Sequence, residues 1–365
     1  MQIAFDYQIF CRQHHGGISR YFAELAAHLD ALELAEVNLV APLHRNASIM
    51  TLPRALVWGK YWDHGHKSFY HELVIRANRV LFAGWELLHQ PALVHETYFA
   101  TRPYQRRAAT VITMHDLIHE RFPPMTGSHS SLKAKAIRRA DHIICVSENT
   151  RKDLLAWYDV DASKTTVIHH GINVPTASGN APLPEIGGPY ILYVGSRAGY
   201  KNFEQLLRAY AGNATLRRDF KLVCMGGEIL GAGEAHLMAE LNLPPDRVVF
   251  LSGGDTLLWA LYRQATLLVY PSLYEGFGIP PLEAMACDCP VVCSNTSSLP
   301  EVVGSAAEYF DPLNGEMMAY AIERVATAPT RAAELRGLGR ENIRRFSWGK
   351  CAQEHLAVYQ RLLKH

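Results

Sequence analysis

The 365-residue chain lacks an excess of either charge: 36 Lys and Arg nearly cancel 35 Asp and Glu, leaving a formal net charge of +1. That balance argues against a general nucleic-acid binder, which needs a basic surface to displace counterions from phosphates. Long hydrophobic runs are also missing. The apolar stretches are strand-sized, well short of the roughly 20 residues that a membrane span requires. Residues 1–10 are apolar, but Asp6 interrupts them and no basic segment precedes them. No secretory signal is therefore expected, and the chain reads as cytoplasmic. Cysteine is scarce and unpatterned, seven residues in all, so a disulfide framework is not expected at this length. The one cluster, Cys287, Cys289 and Cys293, has no zinc-site spacing and reads as core thiols around a buried strand. Low-complexity tracts and internal repeats are absent, and an apolar fraction of 48% is too high for general disorder.

What is present is a rhythm. At about 150 residues per domain the length suggests two domains. Short β-branched runs fall at 2–5, 37–40, 93–95, 110–114, 142–146 and 166–168, and again at 190–194, 221–225, 248–251, 267–270, 290–293 and 308–310. Stretches of helical apolar spacing lie between them, such as 20–32 and 203–210. Strand–helix alternation of this kind predicts α/β architecture: two doubly wound, parallel-sheet, Rossmann-like domains. Residues 174–189 carry Pro175, Pro182, Pro184, Pro189, Gly179, Gly187 and Gly188, a linker composition. The expected domains are therefore 1–175 and 188–346, with a C-terminal helix at about 347–365 packing back on the first. Ligands of such sheets bind beyond the carboxyl ends of the strands, so the residues following each strand are the ones to search.

After the run 267–270 comes a segment with Glu275, Gly276, Phe277, Gly278, Ile279, Pro280, Pro281 and Glu283. The two glycines permit a tight loop and the prolines mark a first helical turn, which places Glu283 just inside a helix start. Amides and a helix dipole can hold an anion, while two carboxylates accept hydrogen bonds from hydroxyls. Each glutamate alone is as readily a solvated loop residue or a dipole partner; together they suit a ligand carrying both hydroxyls and anionic oxygens. The segment closely resembles the Glu-x7-Glu signature of the retaining family 4 glycosyltransferases, which have the GT-B fold. Other segments fit in order along nearly the whole chain: Gly16-Gly17-Ile18-Ser19-Arg20-Tyr21, His115-Asp116-Leu117, Ala140-Asp141-His142-Ile143, His169-His170-Gly171-Ile172-Asn173, Tyr193-Val194-Gly195-Ser196-Arg197, Lys201-Asn202, and Ser294 through Glu301.

The resemblance implies two Rossmann-like domains facing across a deep cleft, the first for the acceptor and the second for a nucleotide-sugar donor. It implies that Lys201 and Arg197 bind the donor diphosphate, although many members have arginine where this chain has Ser196. Glu275 would contact the transferred sugar, with Gly276, Phe277, Gly278 and Ile279 supplying backbone contacts, and Glu283 would hold the ribose. In the first domain Gly16 and Gly17 would let the backbone approach the donor phosphate, and His115 would lie beside the sugar at the reacting face. Asp116 and Tyr98 are candidate acceptor residues, and Asp116 is equally readable as a helix cap. No cofactor and no metal are implied. Asp159-Val160-Asp161 looks like the metal-binding pair of another glycosyltransferase architecture but lacks the flanking apolar strand. The segment patterns are most similar to mannosyl- and rhamnosyltransferases of bacterial surface-polysaccharide assembly. That implies GDP-mannose or GDP-rhamnose as donor and a saccharide or polyprenyl-diphosphate-linked acceptor.

Two segments suit a sugar platform or a bilayer interface. Residues 58–71 mix Trp58, Tyr61, Trp62, Phe69 and Tyr70 with Lys60, His64, His66, Lys67 and His71, and residues 102–139 hold eight Lys and Arg against two Asp and Glu. Peripheral contact with the inner face of the cell membrane is the corresponding expectation. A nucleotide-sugar epimerase of the same fold and a non-catalytic binding subunit remain alternatives at this stage.

Overall fold

Buried aliphatic and β-branched runs pair into two parallel sheets. The computed structural model describes residues 1–63, 68–100, 108–122, 130–173, 184–197, 199–227 and 230–364. The chain divides into two units, Met1–Gly171 with Ser347–His365, and Ile172–Phe346. The first unit holds β1 (Gln2–Phe5), β2 (Glu36–His44), β3 (Val57–Tyr61), β4 (Leu93–Glu96), β5 (Ala109–Met114), β6 (His142–Cys145) and β7 (Thr165–Val167). Their spatial order is β3-β2-β1-β4-β5-β6-β7. The second holds β8 (Tyr190–Val194), β9 (Lys221–Met225), β10 (Val248–Leu251), β11 (Leu267–Tyr270), β12 (Val291–Ser294) and β13 (Ala307–Phe310), in the order β10-β9-β8-β11-β12-β13. Every pairing is parallel. Strands β4, β6, β11 and β12 are buried along their whole length, as expected where helices cover both faces.

In each sheet the strand order reverses once, between β1 and β4 and between β8 and β11. Successive connections leave in opposite directions there, so a crevice opens at the carboxyl ends of those two strands. The residues that follow β8 and β11 are the Arg197–Lys201 and Glu275–Glu283 segments. Those that follow β1, β4 and β5 include Gly16, Tyr98 and His115.

The observed strands coincide with the expected runs to within a few residues at their ends. Strand β3 is the exception, since it occupies a segment read as an aromatic–cationic surface. Residues 58–60 all face solvent, so no apolar alternation marks the strand. It pairs through Gly59, where a Cβ would stand 1.8 Å from the Ala41 carbonyl oxygen.

The helix Trp348–Leu362 follows the second unit in sequence but packs against the helix Gly17–Asp30 of the first. Its Trp348, Cys351, Leu356 and Tyr359 share a core with Phe5, Phe22 and Leu25. Along the chain the first unit gives way to the second after Gly171, just before the proline- and glycine-rich segment, of which residues 174–183 lie outside the described residues. No helix among the described residues is long and apolar enough to cross a membrane.

Candidate active site

The second sheet gathers its chemistry at the strand-order reversal. Lys201 ends a short turn after β8, and Glu275 sits in the loop after β11. Lys201 Nζ lies 2.6 Å from Glu275 Oε1 and 3.2 Å from the Tyr270 hydroxyl. The two loops are sewn together by the main chain, Leu273 N–H donating to the Tyr200 carbonyl at 2.8 Å. Asn202, in a left-handed conformation (φ 59°), donates through Nδ2 to the carbonyls of Pro271 and Pro312. Burial alone would lower the Lys201 pKa, but Tyr270 and Glu275 beside it outweigh that effect, so the amine sits well above its ordinary value. The ammonium stays charged in a largely buried place, with the rings of Tyr200 and Tyr270 at 5.3 and 5.4 Å.

Glu275 is buried and its loop is braced from the far side. Its N–H donates to Ser297 Oγ at 2.9 Å, and the Ser298 hydroxyl donates to the carbonyls of Glu275 and Phe277 at 3.0 and 2.9 Å. Ser297 is itself left-handed (φ 54°), the kind of sparsely populated backbone that clusters at functional sites. Phe277 is buried edge-on against Phe346. Gly276 is buried beside it, and Gly278 caps the helix Ile279–Ala286 with φ 98°. Pro280 and Pro281 occupy the first turn, so only Ile279 and Leu282 among its first four residues carry an N–H. Glu283 follows that first turn, near the start of the helix. It is the fifth helical residue, past the reach of a strong dipole effect, and it accepts a hydrogen bond from the Tyr262 hydroxyl at 3.1 Å.

Arg197 is placed differently from Lys201. Its Nε pairs with Glu234 Oε1 at 2.5 Å and its Nη1 donates to the Gly226 carbonyl at 2.9 Å. The guanidinium lies over the Phe250 ring at 5.0 Å, with 7% of the side chain exposed. Glu234, Tyr262, Tyr270 and Asn202 were not singled out from sequence. Tyr270 and Asn202 carried a signal, a strand terminus and a motif position; Glu234 and Tyr262 carried none, because long-range partners leave no local pattern.

In the first unit a cavity of about 60 Å³ opens at the carboxyl ends of β4 and β5, its lining including Tyr98, Thr113, His115, Asp116, His119 and Lys133. His115 is held edge-on against Tyr21 (5.0 Å) and Phe22 (5.8 Å). Burial lowers its pKa to about 3, so the ring is neutral. Its Nε2 is buried without a hydrogen-bond partner. Asp116 Oδ1 accepts from the Ile118 N–H at 3.1 Å, a turn-capping role. Tyr98 accepts from Gln8 through its carbonyl, with the Arg12 guanidinium over its ring. Gly16 and Gly17 begin the Gly17–Asp30 helix, where the Gln13 side chain accepts from the Ser19 N–H.

The remaining expectations divide. Of the basic residues at 132–139, Lys133 is buried against Glu120 at 2.9 Å and Arg139 clamps Glu96, so two cations point inward rather than to a surface. Trp58, Lys60 and Trp62 are exposed. His64, His66, Lys67, Arg102, Arg106 and Arg107 lie outside the described residues. Asp161 caps the turn Ala162–Lys164 through the Ser163 N–H. Cys287, Cys289 and Cys293 are buried thiols, raised in pKa by that burial.

Residues 15–175 match Glycosyltransferase Family 4, and residues 181–342 match Glycosyl transferases group 1. The chain is 29% identical to the O-antigen chain mannosyltransferase B of Escherichia coli, over 95% of this chain and 96% of that protein. Among solved structures, a sucrose-phosphate synthase from Thermosynechococcus elongatus superposes with a TM-score of 0.77 at 22% identity, covering 100% of this chain and 99% of the other. Anabaena HepE, determined with UDP and glucose, gives 0.77 at 17% identity, covering 99% and 100%. These are likenesses of fold, and they place the two sheets within the GT-B architecture.

Proposed function

We propose that this chain, which belongs to the family 4 glycosyltransferases, is a retaining enzyme moving mannose, or a 6-deoxymannose such as rhamnose, from a GDP-linked donor. The acceptor on this reading is a saccharide or a polyprenyl-diphosphate-linked oligosaccharide of surface-polysaccharide assembly. The observation that carries it is the Lys201–Glu275 pair, 2.6 Å apart at the strand-order reversal of the second sheet, with Glu283 eight residues on. A charged amine fixed there neutralises the charge that develops on a departing nucleoside diphosphate, and its position is set before the reaction begins. Glu275, once its amine partner turns to phosphate, accepts hydrogen bonds from the sugar hydroxyls. Glu283, oriented by Tyr262, binds the ribose. Arg197 adds a second cation to the diphosphate, and reaching it requires Glu234 to share or release the guanidinium.

The first unit supplies the acceptor side. The cavity beside His115 offers a neutral imidazole with an unpartnered nitrogen, a carboxylate at Asp116 and the Tyr98 ring, a lining suited to hydroxyls. Transfer needs no metal on this reading, the cations of the chain doing that work. The likeness to an O-antigen mannosyltransferase supports the choice of sugar. Trp58 and Trp62, both exposed around Lys60, support peripheral contact with an anionic membrane surface.

The test is incubation of the purified chain with labelled GDP-mannose and a polyprenyl-diphosphate-linked saccharide, with the new linkage read by NMR. The expected product keeps the donor's anomeric configuration and forms equally well in EDTA. An inverted product, dependence on added manganese, or a changed sugar stereocentre without acceptor would each contradict the reading.

A further inference from the structure

Beneath the His115 cavity runs a chain of buried hydrogen bonds whose direction is fixed at one end. The Cys351 carbonyl can only accept, so His355 Nδ1, 2.7 Å away, carries the proton. His355 Nε2 is then an acceptor, and the Tyr21 hydroxyl at 2.8 Å donates to it. The Tyr21 oxygen is left to accept from the Thr113 hydroxyl at 3.4 Å. Thr113 in turn accepts from His95 Nε2 at 2.9 Å, and His95 Nδ1 accepts from the Tyr359 hydroxyl at 2.6 Å. Every member has one consistent assignment, and both imidazoles are neutral, in keeping with pKa values lowered by burial. The chain ties the Trp348–Leu362 helix at two points to β4, β5 and the Gly17–Asp30 helix.

Its central member touches the site. Tyr21 is 1% exposed, and the His115 ring stands edge-on against it at 5.0 Å and 90°. Phe22 and His170 pack around the same imidazole at 5.8 and 5.9 Å. Thr113, near the end of β5 and two residues before His115, lines the cavity with it. We infer that Tyr21 is a positioning residue for His115, and that the C-terminal helix, through His355 and Tyr359, sets the aim of that imidazole. The inference rests on the acceptor-side role proposed for His115. It goes beyond that role by making the reacting geometry of the first unit depend on a hydroxyl that no substrate reaches.

A double-mutant cycle separates the two. In Tyr21→Phe the ring stays and the hydroxyl goes, so kcat should fall roughly tenfold with donor KM unchanged, as expected when a group is misplaced rather than lost. His115→Ala should lower kcat further, and the double variant should match His115→Ala alone, because Tyr21 acts only through His115. His355→Leu should reproduce Tyr21→Phe, and His355→Gln, which keeps an acceptor, should recover part of the loss. Independent, multiplying losses in the double variant would overturn the inference, as would wild-type kcat in Tyr21→Phe beside an impaired His115→Ala. Wild-type kcat in His115→Ala would remove the role of His115 itself and the positioning with it. If Tyr21→Phe does not fold, Thr113→Val cuts the same chain one link away and takes its place in the cycle.

Discussion

At the scale of single residues, each charged side chain of the site keeps a different partner in the free protein. Lys201 and Arg197 both stand at the end of β8, yet one is paired with a motif residue and the other with Glu234 on a neighbouring helix. The two glutamates of the Glu-x7-Glu segment differ in the same way. Glu275 is buried in a braced loop; Glu283 is partly exposed and accepts a hydrogen bond from the Tyr262 hydroxyl. Glu275→Ala should therefore lower kcat by about 100-fold or more, the loss expected when a fixed polar contact at the reacting centre is removed. Glu283→Ala should leave kcat nearly intact and raise the donor KM, since its contact is kept throughout the reaction. Steady-state kinetics with saturating acceptor read both effects. The two glutamates drew notice in sequence because they flank a glycine–proline turn after a strand, and Lys201 through the resemblance of its segment to the family; the structure brings Lys201 and Glu275 together. The pairing of Arg197 with Glu234 was not legible, because they stand 37 positions apart with two helices and a strand between them.

At the scale of elements, the site depends on two loops whose backbones leave the ordinary regions. Gly278 turns the chain from the Glu275 loop into a helix at φ 98°, and a Cβ there would stand 2.7 Å from Leu299 Cδ2. Gly278→Ala should destabilise the second unit by about 2–4 kcal/mol from backbone strain and overpacking together, and a denaturant midpoint measures it. The parallel strands were legible for a simple reason: buried on both faces, they read as unbroken apolar runs. Strand β3 was not, because an edge strand with an exposed middle has no such run and Gly59 adds no side chain to the pattern. The basic helix at 130–139 misled for the opposite reason. Its composition is that of a surface, but Lys133 and Arg139 find buried carboxylates that lie distant in sequence.

At the scale of the whole molecule, buried histidines tie stability to pH. Burial holds His115 at about 3 and His142 and His355 at about 4, and it also lowers His95 and His170. Each is neutral when folded and takes up a proton near 6.5 when unfolded, so each loses about 1.4 kcal/mol per pH unit as the pH falls below that value. Asp6, Glu86 and Glu96 are raised by burial and act in the opposite sense, Glu86 reaching about 8 with neither carboxyl oxygen hydrogen-bonded. With His44, which burial also lowers, six imidazoles outweigh three carboxyls below pH 6.5, and the carboxyls act alone above it. The melting temperature should therefore peak close to pH 6.5 and fall on both sides, as a calorimetric series in buffers from pH 5 to 8 would show.

The most direct check on the central claim is a crystal soaked with GDP-mannose. Diphosphate density is expected against Lys201 Nζ beyond the ends of β8 and β11, with the ribose at Glu283 and the hexose at Glu275. Density for the nucleotide at any other place on the chain, with the Lys201–Glu275 pair undisturbed, would contradict it.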